Sequence, residues 1–389
     1  MDHAQELERK HHFQVYNRFP VTLEKGLGAR VWDTHGNEYI DLLGGIAVNN
    51  LGHCHPAIVE AIKEQADKLL HTSNFYYTEA QSEFISRLAY LSGLDSVFMC
   101  NSGLEAMEGT LKLARKWGHE HGKTGDIISL SNGFHGRSLA SITLSKPVYQ
   151  NGFAPLPSGF KQSPFNDFEA LENFVDDQTI AIAFELIQGN SGVYLADKEF
   201  VRNVEDLCRE KNILLIIDEV QTGVARTGKF WCFEHYGIKP DIVASAKALA
   251  GGIPIGAIIA KEEVASALSF GNHGTTFGGN PFACAVGNAC LKTVQKENLT
   301  ELAAEKGQYM MDLIRQKTAG NDKVVDVRGM GLMIGVELSV PGRPVVDRMF
   351  QQKVLSNATG GNVLRIVPPI VISQHEIDQA VDVLTRCII

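Results

Sequence analysis

Two stretches decide the fold of this chain: Ile213-Leu-Leu-Ile-Ile-Asp218-Glu-Val-Gln221-Thr-Gly223 and Asp241-Ile-Val-Ala-Ser-Ala-Lys247-Ala-Leu-Ala-Gly251-Gly252. Each is a short apolar run with β-branched residues that ends in polar residues and glycines, which is typical of a buried parallel strand. Open α/β sheets bind ligands at the carboxyl ends of such strands. We therefore expect Asp218 and Lys247 to lie at one edge of a sheet, at the centre of a site.

This pair of residues predicts a particular kind of cofactor. An acid that ends one strand and a lysine that follows the next suit a cofactor with a basic ring nitrogen and an aldehyde. Pyridoxal 5'-phosphate (PLP) has both, because a lysine forms a Schiff base with its aldehyde and a carboxylate keeps its ring nitrogen protonated. Taken singly, each residue also has a structural interpretation, in which Asp218 caps a turn and Lys247 is a solvated surface lysine.

The surrounding motifs favour the cofactor site. They are Asp218-Glu-Val-Gln221-Thr-Gly-Val-Ala-Arg226-Thr-Gly228, Ser245-Ala-Lys247-Ala-Leu-Ala-Gly-Gly252 and Gly274-Thr-Thr276-Phe-Gly-Gly-Asn280-Pro. All three closely resemble motifs of the class III (ornithine/GABA-type) PLP-dependent aminotransferases. The resemblance extends from about Tyr16 to the C-terminus, and within the class the chain is most similar to the acetylornithine aminotransferases.

The resemblance implies the α/β fold of PLP-dependent aminotransferases (fold type I), in which a large domain has a mainly parallel sheet and a smaller α+β domain combines the N- and C-terminal segments. Alternation of strands and helices from about residue 95 to 260 independently predicts such a sheet. Glycines between β-prone pieces in residues 16–50 predict a small antiparallel sheet. The predicted division is an N-terminal segment (1–50), a large PLP-binding domain (51–290) and a C-terminal small domain (291–389).

The composition excludes other classes of protein. With 389 residues, a formal net charge of -9 and a pI near 5.8, the chain is unsuited to nucleic acids and anionic membranes. No apolar stretch approaches the roughly 20 residues that span a bilayer. The first ten residues lack the apolar core of a signal peptide, so a cytoplasmic protein is expected. The 7 cysteines have no CxxC spacing, which favours reduced thiols over disulfides or a zinc site.

A strand, a turn and a helix start are predicted at Val97-Phe-Met-Cys-Asn-Ser102-Gly103-Leu104-Glu105, with Ser102 and Glu105 as a capping box. Free N–H groups at such a helix start bind anions, and this makes it a suitable seat for a phosphate. The resemblance assigns the seat to Gly103 and Leu104. Since the family commonly has threonine where this chain has Leu104, any contact there must come from the backbone N–H.

Three more cofactor contacts are implied by the resemblance: ring stacking by Phe134, a hydrogen bond from Gln221 to the phenolic oxygen, and a phosphate contact from Thr276 of a neighbouring subunit. Phe134 suits stacking because its face is flat and apolar. The third contact implies a homodimer with shared active sites.

No metal site is predicted: His53 and His55 lack a nearby third ligand, and a His-Pro pair at a helix start explains them.

The resemblance also implies how substrates bind. It assigns the far α-carboxylate of the amino donor to Arg137, assisted by Tyr16, and a carboxylate of 2-oxoglutarate to Arg365, with Thr275 near the substrate. An arginine fork binds both oxygens of a carboxylate. The implied reaction moves the terminal amino group of N2-acetylornithine to 2-oxoglutarate, as in arginine biosynthesis, with Lys247 as the group that transfers the proton.

One loop departs from the family pattern. Relatives usually read Glu-Pro-Ile-Gln-Gly-Glu-Gly-Gly where this chain has Glu185-Leu186-Ile-Gln-Gly-Asn190-Ser-Gly192. In the family the second glutamate is thought to pair with the arginine at the Arg365 position and to release it when 2-oxoglutarate arrives. Asn190 can accept a hydrogen bond from that arginine but cannot neutralise it, so we expect a weakened gate.

The sequence leaves three alternative functions open. The first is another class III ω-amine transaminase that uses succinylornithine, ornithine, GABA or a diamine, and Asn190 keeps it open. The second is a protein of the same fold that has lost turnover and acts as a binding or regulatory partner, which the intact Asp218, Lys247 and Arg137 disfavour. The third is a nucleotide-binding oxidoreductase, which lacks support because no glycine fingerprint lies in the first βα unit.

Overall fold

The computed structural model describes residues 3–388. The helices are α1 (His3–His11), α2 (Gly44–Ala47, a turn of positive φ), α3 (Pro56–Ala66), α4 (Glu79–Ser92), α5 (Gly103–Glu120), α6 (Leu139–Thr143), α7 (Phe168–Phe174), α8 (Lys198–Lys211), α9 (Glu262–Ala265), α10 (Pro281–Lys296), α11 (Leu299–Lys317), α12 (Gly342–Gln351) and α13 (Gln374–Cys387). Short 3-10 helices lie at Pro147–Tyr149, Cys232–His235 and Lys247–Ala250. Within the described residues, no helix has the length and apolar character required to cross a bilayer.

The strands are β1 (Leu23–Leu27), β2 (Arg30–Asp33), β3 (Glu38–Asp41), β4 (Ser96–Cys100), β5 (Ile127–Leu130), β6 (Phe160–Ser163), β7 (Ala181–Phe184), β8 (Ile187–Gln188), β9 (Tyr194–Leu195), β10 (Leu214–Asp218), β11 (Ile242–Ser245), β12 (Gly256–Ala260), β13 (Val324–Met330), β14 (Met333–Leu338), β15 (Val354–Leu355), β16 (Asn357–Thr359) and β17 (Val363–Ile366).

A seven-stranded sheet with the order β4-β12-β11-β10-β7-β5-β6 forms the centre of the molecule. The five strands from β11 to β6 are parallel, and β12 runs antiparallel to both of its neighbours. Every residue of β5, β7, β10, β11 and β12 is buried, as expected when helices cover both faces of a sheet. The predicted mainly parallel sheet is confirmed.

Two four-stranded sheets lie outside the central sheet, and the first of them combines the two ends of the chain. One has the order β1-β2-β3-β15, in which β1, β2 and β3 are antiparallel and β15 joins β3 in parallel. The other, β13-β14-β17-β16, is antiparallel and carries Arg365 on β17. The antiparallel sheet expected within residues 16–50 is therefore confirmed, while the domain boundaries near residues 50 and 290 stay a prediction.

The sheet places the two central residues at one edge. Asp218 is the last residue of β10 and lies in register with Ala244 of β11, three residues before Lys247. At Lys247 the backbone has a φ of 45°, in the left-handed region that residues with a Cβ rarely adopt. Such strain persists only where the surrounding structure imposes it, and it is frequent at functional sites.

Arg226 connects the loop after β10 to both ends of the chain. Its side chain is 0% exposed, and its Nη1 donates to the carbonyl oxygens of Leu332 (2.9 Å) and Pro368 (2.6 Å). Its Nη2 donates to Oδ1 of Asn50. Burial lowers the pKa of Arg226 to about 9. This arginine therefore fixes the loop that begins at Asp218 against Asn50 and against the sheet that contains β14 and β17.

Candidate active site

A cavity of about 480 Å³ opens at the carboxyl edge of the central sheet. The residues predicted to bind cofactor or substrate that line it are Gly103, Leu104, Phe134, Arg137, Asp218, Gln221 and Lys247. They come from segments more than 140 positions apart in the sequence, and the sheet order brings them together. The structure thus brings six of the seven predicted cofactor residues, all except Thr276, around one space.

Asp218 is buried and is held at both carboxylate oxygens. Its Oδ1 accepts from the N–H of Val220 (3.0 Å), and its Oδ2 lies 2.8 Å from Nδ1 of His135. Burial lowers the pKa of His135, but the hydrogen bond and the charge of Asp218 outweigh burial and raise it above its ordinary value. The Asp218 carboxylate therefore stabilises the protonated form of His135.

His135 is a site residue for which the sequence predicted no role. It is 3% exposed, and its Nε2 is buried without a hydrogen-bond partner among the described residues. The available signal was its position between Phe134 and Arg137, in a turn that follows a predicted strand. Its contact with Asp218 depends on the order of the strands, which periodicity does not reveal.

Lys247 faces the cavity from the turn after β11. Burial lowers its pKa to about 8, against the opposing charges of Asp218 and Glu185. A lysine with this pKa has a substantial neutral fraction near neutral pH, which both Schiff-base formation and proton abstraction require. The environment of Lys247 therefore suits a nucleophile and a base.

Glu185 is a second buried carboxyl group that the sequence analysis did not assign. It follows β7, which neighbours β10, and it lines the cavity. Its Oε2 accepts from the backbone N–H of Phe134 (2.8 Å). Burial raises the pKa of Glu185 to about 7, against the charge of His135. Glu185 thereby fixes the backbone that carries the Phe134 ring and adds a group that titrates near neutral pH.

The start of α5 is capped largely as predicted. Ser102 Oγ accepts from the N–H of Glu105 (3.2 Å), which confirms the N-cap. The predicted return contact differs, because Glu105 Oε2 accepts from the backbone N–H and the side-chain amide of Asn101 (2.9 and 2.8 Å). The two Asn101 donors take the place of the Ser102 N–H and fix the turn that enters the helix.

Gly103 and Leu104 occupy the first turn of α5 and line the cavity. N–H groups in a first turn have no carbonyl partner in their own helix. A Cβ at position 103 would lie 2.7 Å from a side-chain carbon of Val220, so only glycine lets the helix start this close to the β10 loop. The arrangement presents free donors and the positive end of a helix dipole to an anion.

Arg365 is 3% exposed and lies beside the cavity wall. Its Nη1 donates to Asn190 Oδ1 (2.7 Å) and to Gln221 Oε1 (3.3 Å), which confirms the expected contact with Asn190. Burial lowers the pKa of Arg365 to about 10, with Glu185 and Tyr149 opposing the shift. Its side-chain partners within residues 3–388 are amide oxygens, so this guanidinium keeps its full charge for an incoming carboxylate.

Arg137 lies at the outer side of the cavity. Its guanidinium carbon is 4.0 Å from the centre of the Tyr149 ring and 5.6 Å from that of Phe134. It is exposed, and no carboxylate of the described residues lies within ion-pair distance of it. Like Arg365, it is therefore free to bind a carboxylate.

The remaining predicted residues do not line the cavity of this chain. Tyr16 is 68% exposed and packs against His12. Thr275 lies near the cavity, since its Oγ1 accepts from Asn101 (3.3 Å), whereas Thr276 is exposed to solvent. The roles of Tyr16, Thr275 and Thr276 stay predictions.

The two histidines with metal-like spacing have structural partners. Nε2 of His53 lies 2.8 Å from Asp41, and the side chain of His55 accepts from the N–H of Ala57 as the N-cap of α3. Among residues 3–388, no group of three or more metal-ligating side chains is present.

Comparison with known proteins places the chain in a family. The model of the family Aminotransferase class-III matches residues 13–388. The chain belongs to the class III aminotransferases. The expected family and fold are confirmed, and the protein is a transaminase.

Full-length relatives and solved structures agree. The acetylornithine aminotransferase of Methanocaldococcus jannaschii is 49% identical over 385 residues, covering 97% of this chain and 96% of that protein. That of Methanothermobacter thermautotrophicus is 48% identical over 384 residues, covering 98% and 97%. The ornithine aminotransferase of Toxoplasma gondii superposes with a TM-score of 0.96 at 34% identity, covering 99% of this chain and 94% of that one. The acetylornithine aminotransferase of Elizabethkingia anophelis gives 0.89 at 35% identity, covering 99% and 98%.

Proposed function

We propose that this transaminase uses PLP to move the terminal amino group of N2-acetylornithine to 2-oxoglutarate, giving N-acetylglutamate 5-semialdehyde and glutamate in arginine biosynthesis. The observation that carries the proposal is the combination of a buried lysine of lowered pKa with two arginines that have no carboxylate partner among residues 3–388. Such a site suits a substrate pair whose members each carry a carboxylate. The names of the full-length relatives support the same donor.

The residues present fit PLP. Gly103 and Leu104 offer N–H donors for a phosphate, and Asp218, held by His135, offers a carboxylate for a protonated ring nitrogen. Since Oε1 of Gln221 accepts from Arg365, its Nε2 is left to donate to the phenolic oxygen. When bound, PLP supplies the electron sink that stabilises a carbanion.

Lys247 has two roles in this proposal. It would hold the cofactor at its aldehyde, and its neutral amine would move the proton at the substrate carbon. The lowered pKa of Lys247, about 8, keeps a usable fraction of neutral amine near neutral pH. Asp218 and Glu185 oppose a further decrease, because their charges favour the ammonium form.

The two arginines take different substrates. Arg137 binds the far α-carboxylate of the acylated donor, so that the terminal amine is the group that reaches Lys247, and Tyr16 and Thr275 border that substrate. Arg365 binds a carboxylate of 2-oxoglutarate. Asn190 forms a hydrogen bond with Arg365 but no ion pair. The incoming carboxylate therefore displaces the Asn190 amide more easily than it would displace an ionised side chain.

We also propose a homodimer in which Thr276 reaches the cofactor phosphate of the partner subunit. Thr276 is followed by Phe277, which is 62% exposed, and Asn74 donates to the carbonyl oxygens on either side of this pair. Next to Asn74, the exposed fractions of Phe75, Tyr76 and Tyr77 are 88%, 72% and 99%. So many exposed aromatic rings beside one loop indicate an interface.

Mixing two inactive variants tests the shared site. Thr276→Asp repels a phosphate in the partner's site, and Lys247→Ala removes the lysine. A mixed dimer contains one site with both defects and one site with none, so activity returns on subunit exchange. A monomer in sedimentation analysis, or exchanged dimers without activity, would contradict the proposal.

Donor ranking tests the reaction. We expect kcat/KM with 2-oxoglutarate to be highest for N2-acetylornithine, and lower for succinylornithine, ornithine and GABA. The second candidate is a broader ω-amine transaminase, and it is favoured because the partner of Arg365 is the neutral amide of Asn190 and not a carboxylate. Equal values for acylated and free ornithine would support this second candidate and contradict the first.

A further inference from the structure

Tyr149 contacts both Arg137 and Phe134 beside the cavity. The guanidinium carbon of Arg137 lies 4.0 Å from the centre of the Tyr149 ring. The ring meets Phe134 edge to face, with 5.5 Å between the ring centres and an angle of 80°. The Tyr149 side chain thus contacts both Arg137, which is proposed to bind the amino donor, and Phe134, which is proposed to stack on the cofactor.

The backbone around Tyr149 is well fixed. Its N–H donates to the carbonyl oxygen of Lys146 (3.0 Å) within the 3-10 helix Pro147–Tyr149. The amide of Gln150 donates to the carbonyl oxygens of Ile142 (3.0 Å) and Ser145 (3.2 Å) at the end of α6. The ring therefore extends from a fixed backbone and packs against Phe134, in contrast to a long arginine side chain in solvent.

A stacked guanidinium keeps its donors. Since the N–H groups of arginine lie in the plane of the guanidinium, a ring against its face leaves them free to bind both oxygens of a carboxylate. Stacking also restricts the rotamers of an exposed side chain, so less conformational freedom is lost when the ligand binds. The contact between Tyr149 and Arg137 thus favours binding without occupying the binding groups.

We propose that Tyr149 is a positioning residue that determines donor specificity, because its ring holds the Arg137 guanidinium where it binds the far carboxylate of the amino donor. This inference rests on the proposed function. It assigns to Tyr149 an effect on donor binding, and none on the proton transfer at Lys247 or on the acceptor carboxylate at Arg365.

The test uses a ligand that binds without reacting. N-acetylnorvaline has the acylated α-amino group and the carboxylate of the donor but lacks the terminal amine. Its Kd is measured by calorimetry on the PLP-loaded protein for the wild type, Tyr149→Leu and Tyr149→Phe. Val148→Ala is the matched control, because Val148 is the neighbouring residue and is 70% exposed.

We expect Tyr149→Leu to raise the Kd about two- to fivefold, the range of an exposed cation–π contact, and to raise KM for N2-acetylornithine equally with kcat unchanged. Tyr149→Phe and Val148→Ala keep the wild-type values. In an Arg137→Gln background, Tyr149→Leu has no further effect, because the partner of the contact is already absent.

The outcomes separate the inference from the proposed function. If the wild type neither binds N-acetylnorvaline nor reacts with N2-acetylornithine, the proposed function fails. If the wild type does both and Tyr149→Leu binds equally well, the inference alone fails. A Tyr149→Phe variant as weak as Tyr149→Leu would also overturn it, since the ring would then be irrelevant. A lower kcat at unchanged KM would place Tyr149 in the chemical step and contradict the assignment.

Discussion

Asn190→Glu should make the protein discriminate against glutamate and 2-oxoglutarate. In the structure the buried guanidinium of Arg365 donates to the amide oxygen of Asn190 at 2.7 Å. A glutamate at position 190 can form an ion pair with Arg365, and the incoming carboxylate then has to displace a charged group in place of a neutral one.

The size of this effect follows from the separation of the charges. Two unit charges about 4 Å apart attract by about 4 kcal/mol at an effective dielectric constant of about 20. The cost of burying a second charged group cancels much of this attraction. If about 1.4 kcal/mol remains, ligands of Arg365 bind roughly tenfold more weakly.

Each half-reaction is measured separately by stopped-flow absorbance of the cofactor. For Asn190→Glu we expect kcat/KM for glutamate to fall about tenfold, while that for N2-acetylornithine is unchanged, because its carboxylate binds Arg137. Asn190→Gln is the control, since it has the length of glutamate without the charge. An unchanged ratio of the two kcat/KM values, or an equal loss in Asn190→Gln, would refute the reasoning.

Three further predictions concern the residues around the cavity. His135→Phe removes a hydrogen bond to the charged Asp218, a contact worth about 1.5–3 kcal/mol, so the rate of both half-reactions in single-turnover kinetics should fall about 10- to 100-fold; an unchanged rate would contradict the role of His135. Covalent capture of PLP by the apoprotein requires the neutral Lys247 amine, so its rate should rise with pH and level off above about pH 8; a rise that continues to the ordinary lysine pKa would contradict the lowered value. Arg226→Met leaves buried carbonyl oxygens without donors and should lower the free energy of unfolding in urea by about 3 kcal/mol or more, whereas Arg209→Met, at an exposed position, should have little effect.

The sequence predicted those parts of the site that local pattern determines. Asp218 and Lys247 follow apolar strands, and Ser102 begins a helix with a recognisable cap. His135 and Glu185 were missed because their roles depend on β7 lying beside β10 and β5 beside β7, and residue spacing does not contain strand order. Motif resemblance supplied Phe134 and Arg137, which no pattern of hydrophobicity identifies.

Other features were not predictable for different physical reasons. The positive φ of Lys247 results from the turn that surrounding elements impose, and a lysine carries no local preference for it. The side chain of Glu105 accepts from Asn101 and not from the expected N–H of Ser102, because Asn101 offers two donors, its backbone N–H and its side-chain amide. Tyr16 and Thr276 lie on the surface of this chain, so their roles stay predictions.

The most direct test of the central claim is the visible absorbance of the purified, PLP-loaded protein before and after a single addition of N2-acetylornithine. We predict an absorption band of covalently bound cofactor that bleaches on addition of the donor and returns on addition of 2-oxoglutarate. Lys247→Ala, which lacks the attaching amine, should not show this cycle. A wild-type protein with no such band after PLP is supplied, or a band that N2-acetylornithine leaves unchanged, would contradict the account.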